Sequence, residues 1–135
     1  MVLVSLSTAR SKGKDASAQG SLTSIRSTAE IYNTGSGYGA AGTVTTVTAG
    51  TQSSSPNGVT NMCSDAPTGI LLKAAAAQTG KDTVCAVGLS GASWVAYGAL
   101  TTQTGTNYYC VDSNGSSGLI TAAPSAFVSS EVKCK

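Results

Sequence analysis

The stretch "STARSKGKDASAQGSLTSIRSTAEIYN", residues 7–33, predicts one helix built of two different halves. In the second half, apolar side chains recur at alternating spacings of four and three residues, which places them on one helix face. They are Ala18, Leu22, Ile25, Ala29 and Tyr32. We expect a long helix over residues 1–33 whose second half packs on the protein's own domain through this face.

The first half of the same helix has a separate apolar face, formed by Val2, Leu6, Ala9 and Ala16. At ~100° per residue, this face lies roughly 130° or more from the other. The intervening "RSKGKD" is polar and contains Gly13, which weakens a helix. Two faces imply two partners, so we predict that Val2, Leu6 and Ala9 contact a second molecule. The alternative is a frayed terminus with apolar residues placed by chance.

Composition limits the class of protein. A chain of 135 residues is long enough for one domain with a modest core, residues 1–135. The hydrophobic fraction of 41% and the charged fraction of 10% indicate a folded domain rather than disorder. A net charge of +2 is too small to argue for a specific nucleic acid or a membrane surface. We expect Arg10, Lys12 and Lys14, with Asp15 alongside, on a solvated helix face.

The rest of the chain predicts an α+β domain. Residues 34–64 form a Ser/Thr/Gly-rich loop in which "TVTTVT" could supply one strand. Residues 65–80 form a short second helix, with Asp65 as the cap, Pro67 in the first turn and Gly80 at the stop. We expect its core face to contain Ile70, Leu71, Ala74, Ala75 and Ala77.

Residues 81–135 predict an antiparallel sheet of about four strands and a C-terminal tail. The strand candidates are "TVCAVGL", "ASWVAYGAL", "NYYCVDS" and "GLITA". The Asn114–Gly115 pair indicates a tight turn before the last of them. The same residues begin an "NGS" glycosylation sequon, which a plain hairpin turn explains better.

The four cysteines predict two disulfides and an oxidising compartment. They are widely spaced, and no CxxC pair suggests zinc or redox chemistry. We favour the pairs Cys63–Cys85, which would join the second helix to the sheet, and Cys110–Cys134, which would hold the C-terminus. The pairs Cys63–Cys110 and Cys85–Cys134 are the main rival, and four unpaired buried thiols are a further alternative.

Catalytic motifs are weak. The chain has no histidine, the side chain most used as a general base. "GYGAAG" (37–42) follows a helix instead of a strand, "SKGK" (11–14) has no companion motifs, and "GLSGA" (88–92) has no histidine for a triad. We expect no catalytic residue and no cofactor. Calcium is the one ion to consider, with Asp65, Asp82 and Asp112 as candidate ligands. They are scattered in sequence, so we favour the interpretation that they are surface carboxylates.

The stretch "VLVSLSTARSKGKDASAQGSLTSIRSTAEIYNTGSGYG" resembles the region after the apolar segment in bacterial type IV pilins and type II secretion pseudopilins. Cys63 to Asp65, Trp94 and "YCVDSNG" (109–115) extend the resemblance over most of the chain. It is fairly specific in residues 2–38 and 109–115 and loose between them. It implies a pilin-like fold, in which the first half of the helix packs on other subunits in a filament.

Such chains carry a basic leader, a processing site and about 20 apolar residues before this region. Met1 stands where that segment would end, so we expect a truncated, soluble head whose membrane contact lies in the missing helix. The resemblance implies a non-enzymatic, extracellular structural subunit of a type IV pilus at the cell surface. Its partners would be copies of itself and the assembly machinery. Two alternatives are a pseudopilin, which often binds calcium near its C-terminal strands, and a minor tip pilin or adhesin.

Overall fold

The structure of the chain is a computed structural model that describes residues 2–33, 35–47, 52–53, 60–101, 107–124 and 132–134. Within these ranges the fold is α+β, with two helices and six strands. In chain order they are α1 (Val2–Tyr32), β1 (Gly42–Thr46), β2 (Gln52–Ser53), α2 (Ala66–Thr79), β3 (Thr83–Val87), β4 (Trp94–Ala99), β5 (Tyr108–Asp112) and β6 (Ser117–Ile120). The long and short helices predicted over residues 1–33 and 65–80 are therefore present.

The strands form one antiparallel sheet in the order β2-β1-β3-β4-β5-β6. The four predicted strands are β3 to β6. Two more strands come from residues 34–64, so the prediction of a loop there, with at most one strand, is only partly right. The Ser, Thr and Gly residues of this region give little apolar periodicity from which a strand could be predicted. β1 forms because its residues pair with β3. In this pairing Val44 lies opposite Cys85 and is fully buried.

Both helices lie on one face of the sheet, where they enclose the larger core. The predicted face of α1 is central to it, because Ala18, Leu22, Ile25 and Ala29 are at most 1% exposed. Tyr32 is half-buried and packs against the same cluster. The cluster also contains residues of α2 and of the strands, among them Leu72, Val87, Trp94 and Val111. This packing explains why the second half of α1 needs its regular apolar spacing.

The buried face of α2 differs from the one predicted. Ile70 is 66% exposed and Ala77 is also exposed, whereas Leu72 is fully buried. The complete buried set is Thr68, Gly69, Leu72, Ala75, Ala76 and Thr79. The helix is so rich in alanine that several faces look equally apolar, and the pattern cannot fix its rotation. The ends agree with the sequence, since Asp65 occupies the N-cap position, although without a side-chain hydrogen bond, and Gly80 adopts a left-handed φ of 68°.

The opposite face of the sheet carries a second, smaller core. Ala86, Val95, Tyr97 and Cys110 form it together with the C-terminal residues Val132 and Cys134. One disulfide joins Cys63, just before α2, to Cys85 in β3, and the other joins Cys110 in β5 to Cys134. These are the pairs favoured from the sequence. Each face of the sheet thus has one covalent link to the segment that covers it.

Candidate assembly surface

Helix α1 divides into a part with a face buried in the domain and a part in which every described side chain is exposed. Every side chain from residue 3 to residue 10 is exposed. Leu3 is 82% exposed, Val4 72% and Leu6 57%. We call residues 3–10 the exposed segment of α1. Of the residues predicted to contact a second molecule, Leu6 and Ala9 lie in this segment, and the side chain of Val2 lies outside the described residues.

Asp15 marks the point where α1 meets the body of the domain. It is only 3% exposed, and its Oδ1 accepts hydrogen bonds from the Thr101 backbone N–H (2.9 Å) and hydroxyl (2.7 Å). The expectation that Asp15 lies on a solvated face is therefore wrong, although its neighbours Lys12 and Lys14 are exposed as expected. The charge-assisted bonds offset the cost of burying a carboxylate. The missed signal is spacing, because Asp15 precedes Ala18 by three residues and extends the core face.

Further along, polar contacts attach α1 to the last two strands. The hydroxyls of Thr23 and Tyr109 share a hydrogen bond of 3.2 Å. Nη2 of Arg26 donates to the carbonyl of Ser116 in the β5–β6 turn at 3.0 Å. The residues of β5 and its turn thus hold the second half of α1 in place. Sequence patterns gave no indication of either contact, since each joins residues about ninety positions apart.

The β5–β6 turn is fixed by a buried carboxylate. Asp112 is 1% exposed, and its Oδ1 accepts the backbone N–H groups of Asn114 (3.0 Å) and Ser116 (2.9 Å). Its Oδ2 accepts the N–H of Cys134 at 3.0 Å. One side chain therefore connects the turn that holds Arg26 with the disulfide-linked C-terminal segment. A short polar side chain that binds the backbone two residues on is typical of tight turns.

The end of α1 is closed by its own cap. Oδ1 of Asn33 accepts the N–H groups of Gly35 (3.3 Å) and Gly37 (3.2 Å), while the Tyr38 hydroxyl donates to Oε1 of Glu30 at 3.0 Å. Burial and the bond to Glu30 raise the pKa of Tyr38 above its ordinary value. The helix is thus well anchored from Asp15 to its C-terminus, in contrast to its first ten residues.

The proposed calcium ligands do not come together. Within the described ranges, no group of three or more Cys, Asp or Glu side chains is placed to hold a metal ion. Both carboxylate oxygens of Asp112 already accept backbone N–H groups. The structure therefore gives Asp65, Asp82 and Asp112 no shared ion site, and Asp112 acts as a structural residue of the turn.

The three weak catalytic motifs lie at positions where a structural role explains their residues. Residues 11–14 lie on α1, and residues 37–42 lead from α1 into β1. Residues 88–92 form the β3–β4 turn, where the Ser90 hydroxyl accepts the N–H of Ala92 at 3.3 Å. A nucleophile elbow needs a strand-to-helix turn, which differs from this strand-to-strand turn. These three stretches therefore do not support the catalytic activities that their sequence motifs suggest.

The chemistry of the exposed segment suits packing against another helix. Leu3, Val4 and Leu6 present apolar surface, and the exposed Arg10, Lys12 and Lys14 follow directly along the helix. Two turns of helix are marginal in water without packing. Neither of the two helices described is both long and apolar enough to cross a bilayer. The segment can nevertheless extend an apolar helix–helix contact by about 10 Å, at 1.5 Å of rise per residue.

Comparisons of the chain with protein-family models, with curated proteins and with solved structures found no match.

Proposed function

We propose that the chain is the globular head of a structural subunit of a type IV pilus, non-enzymatic and displayed outside the cell. The observation that carries the proposal is the division of α1 at Asp15. One continuous helix belongs to the domain over its second half and offers apolar side chains to solvent over its first half. A filament subunit needs this arrangement, because the same helix must connect the head to the shaft.

The anchoring of α1 supports the proposal. In a filament, the exposed segment transmits the load between subunits, and the second half must resist being pulled away from the sheet. Asp15 to Thr101, Thr23 to Tyr109 and Arg26 to Ser116 are polar ties along that half. These directional hydrogen bonds fix the position of α1 on the sheet, whereas the apolar face alone would allow the helix to slide along it. The two disulfides suit a protein that must stay folded in an oxidising, extracellular setting.

The proposed partners are other copies of the chain and the machinery that assembles them. In this account, Leu3 and Leu6 lie against α1 of neighbouring copies in the shaft. Burying each leucine contributes roughly 1.5–3 kcal/mol. Two such side chains contribute about 3–6 kcal/mol together. This reaches only the lower end of the ~4–15 kcal/mol that association costs in translational and rotational entropy. Assembly therefore depends on many neighbours and on further apolar helix surface in the shaft.

The test is to identify the subunit of surface filaments on the source cells. Filaments are sheared from the cells, purified and analysed by mass spectrometry, and intact cells are labelled with antibody against the head. We expect the chain to be the most abundant protein of the fraction and the label to follow filaments along their length. Cells with the gene deleted are the control and lose both signals. Filaments that persist without the chain, or label restricted to the cell body, contradict the proposal.

A further inference from the structure

The face of the sheet opposite the helices carries a depression that the assembly surface does not use. Val132 and Cys134 cover the part of this face around Val95 and Cys110. Among the described residues of the same face, an open depression of about 450 Å³ lies towards the end of α2. Its volume lies within the ~300–1,000 Å³ range of small-molecule sites. It is therefore a second candidate surface, independent of the filament contacts.

The floor of the depression is an ordered pair of tyrosines. Tyr97 lies opposite Val84, and Tyr108 lies opposite Ala99, so all four side chains reach the same face. The rings of Tyr97 and Tyr108 meet edge to face, with centroids 5.7 Å apart and planes at 86°. Tyr97 is 7% exposed, whereas Tyr108 is half-buried. Tyr97 thus holds the accessible ring of Tyr108 in one orientation, which lowers the entropy that a ligand must overcome.

One wall of the depression is equally fixed. It consists of Gly80, Lys81 and Asp82, which follow the C-terminus of α2. The Gly80 N–H donates to the carbonyl of Ala76 at 2.9 Å, and the Lys81 N–H donates to the Thr79 hydroxyl at 3.2 Å. The wall therefore carries one exposed lysine and one exposed aspartate on a backbone that the helix end holds. Together they bring donors and acceptors without net charge.

This combination selects a class of ligand. Asp82 would repel an anion, Lys81 would repel a cation, and a purely apolar ligand would form no hydrogen bond with either side chain. A neutral sugar has a C–H face that can lie on the ring of Tyr108 and hydroxyl groups that can donate to a carboxylate and accept from an ammonium. We propose that the depression binds a neutral saccharide, with Tyr108 as the stacking platform and Asp82 and Lys81 as the hydrogen-bonding groups.

The proposal is tested by NMR titration of the folded chain with methyl glycosides of glucose, galactose, mannose and N-acetylglucosamine. We expect at least one of them to cause saturable shifts of the amides of Lys81, Asp82, Ala99 and Tyr108. Tyr108→Ala should weaken that binding by at least ~10-fold, about 1.4 kcal/mol. Asp82→Asn should weaken it by a few-fold.

Two matched variants separate binding from folding. Tyr108→Phe keeps the ring and should bind within about twofold of the original chain, because stacking needs no hydroxyl. Asp65→Asn makes the same chemical change outside the depression and should leave binding unchanged. The proposal is overturned if none of the four glycosides gives saturable shifts, if binding survives Tyr108→Ala, or if Asp65→Asn weakens it as much as Asp82→Asn.

Discussion

Two leucines on the same helix provide a direct comparison of its two halves. Leu22 is fully buried, and a methyl group placed on Gly98 of β4 would lie 3.6 Å from its Cδ1. Truncation to alanine leaves a cavity over a glycine that has no side chain to fill it. Buried Leu→Ala changes cost about 2–5 kcal/mol, and we expect ~3.5 kcal/mol for Leu22→Ala. Leu6 is 57% exposed, so Leu6→Ala should change the free energy of unfolding by less than ~0.5 kcal/mol.

Urea denaturation followed by Trp94 fluorescence measures both variants, because Trp94 is the single tryptophan and is fully buried in the same core. With an m-value of about 2 kcal/mol per molar, Leu22→Ala should lower the midpoint by more than ~1.5 M, and Leu6→Ala should leave it within ~0.3 M. The disulfides stay oxidised throughout. Equal midpoint shifts for the two variants would refute the division of α1 into an anchored and an exposed half.

Four further outcomes follow from the same contacts. Asp15→Ala should cost ~1.5–3 kcal/mol in urea denaturation, because Thr101 loses two hydrogen bonds to a buried, charged acceptor; a loss below ~0.5 kcal/mol contradicts this. Replacing Cys110 and Cys134 by serine should cost ~3 kcal/mol by chain entropy, and reductant should then affect the midpoint less than in the original chain. Burial, and then the neighbouring Tyr108, raise the pKa of Tyr97. The stability from this residue is complete below about pH 10 and is lost as the pH rises through the folded-state pKa, so Tyr97→Phe should lose less stability than the original chain as the pH is raised above about 10. The chain should sediment as a monomer at micromolar concentration, and a stable oligomer would contradict the weak contact assigned to the exposed segment.

Periodicity was most informative where large apolar residues alternate with polar ones. Leu22 and Ile25 identified the packed face of α1, and the runs around Cys85, Trp94 and Cys110 identified β3, β4 and β5. In α2, small residues lie on several sides of the helix itself. The apolar pattern therefore predicts the wrong rotation of the helix and assigns Ile70 to the core. Side-chain volume matters more there than hydropathy, because Leu72 is the largest buried side chain of α2 in the core between the helices and the sheet.

Long-range polar contacts could not be predicted from the sequence. Nothing local shows that Asp15 would meet Thr101, since the two residues are 86 positions apart. The same holds for Arg26 and the carbonyl of Ser116. Such contacts depend on which strand ends lie beside the helix, and that is decided by the whole sheet. The exposed segment of α1, by contrast, followed from the second apolar face in the sequence.

In the proposed filament, copies of the chain assemble through the exposed segment of α1. The most direct measurement introduces a photo-crosslinking residue at Leu6 in filament-bearing source cells and maps the products by mass spectrometry. The matched control carries the same group at Leu89, which is 62% exposed in the β3–β4 turn. We expect Leu6 to link to α1 of a second copy, whereas Leu89 should not link to α1. Products from Leu6 that contain no second copy of the chain would contradict this expectation.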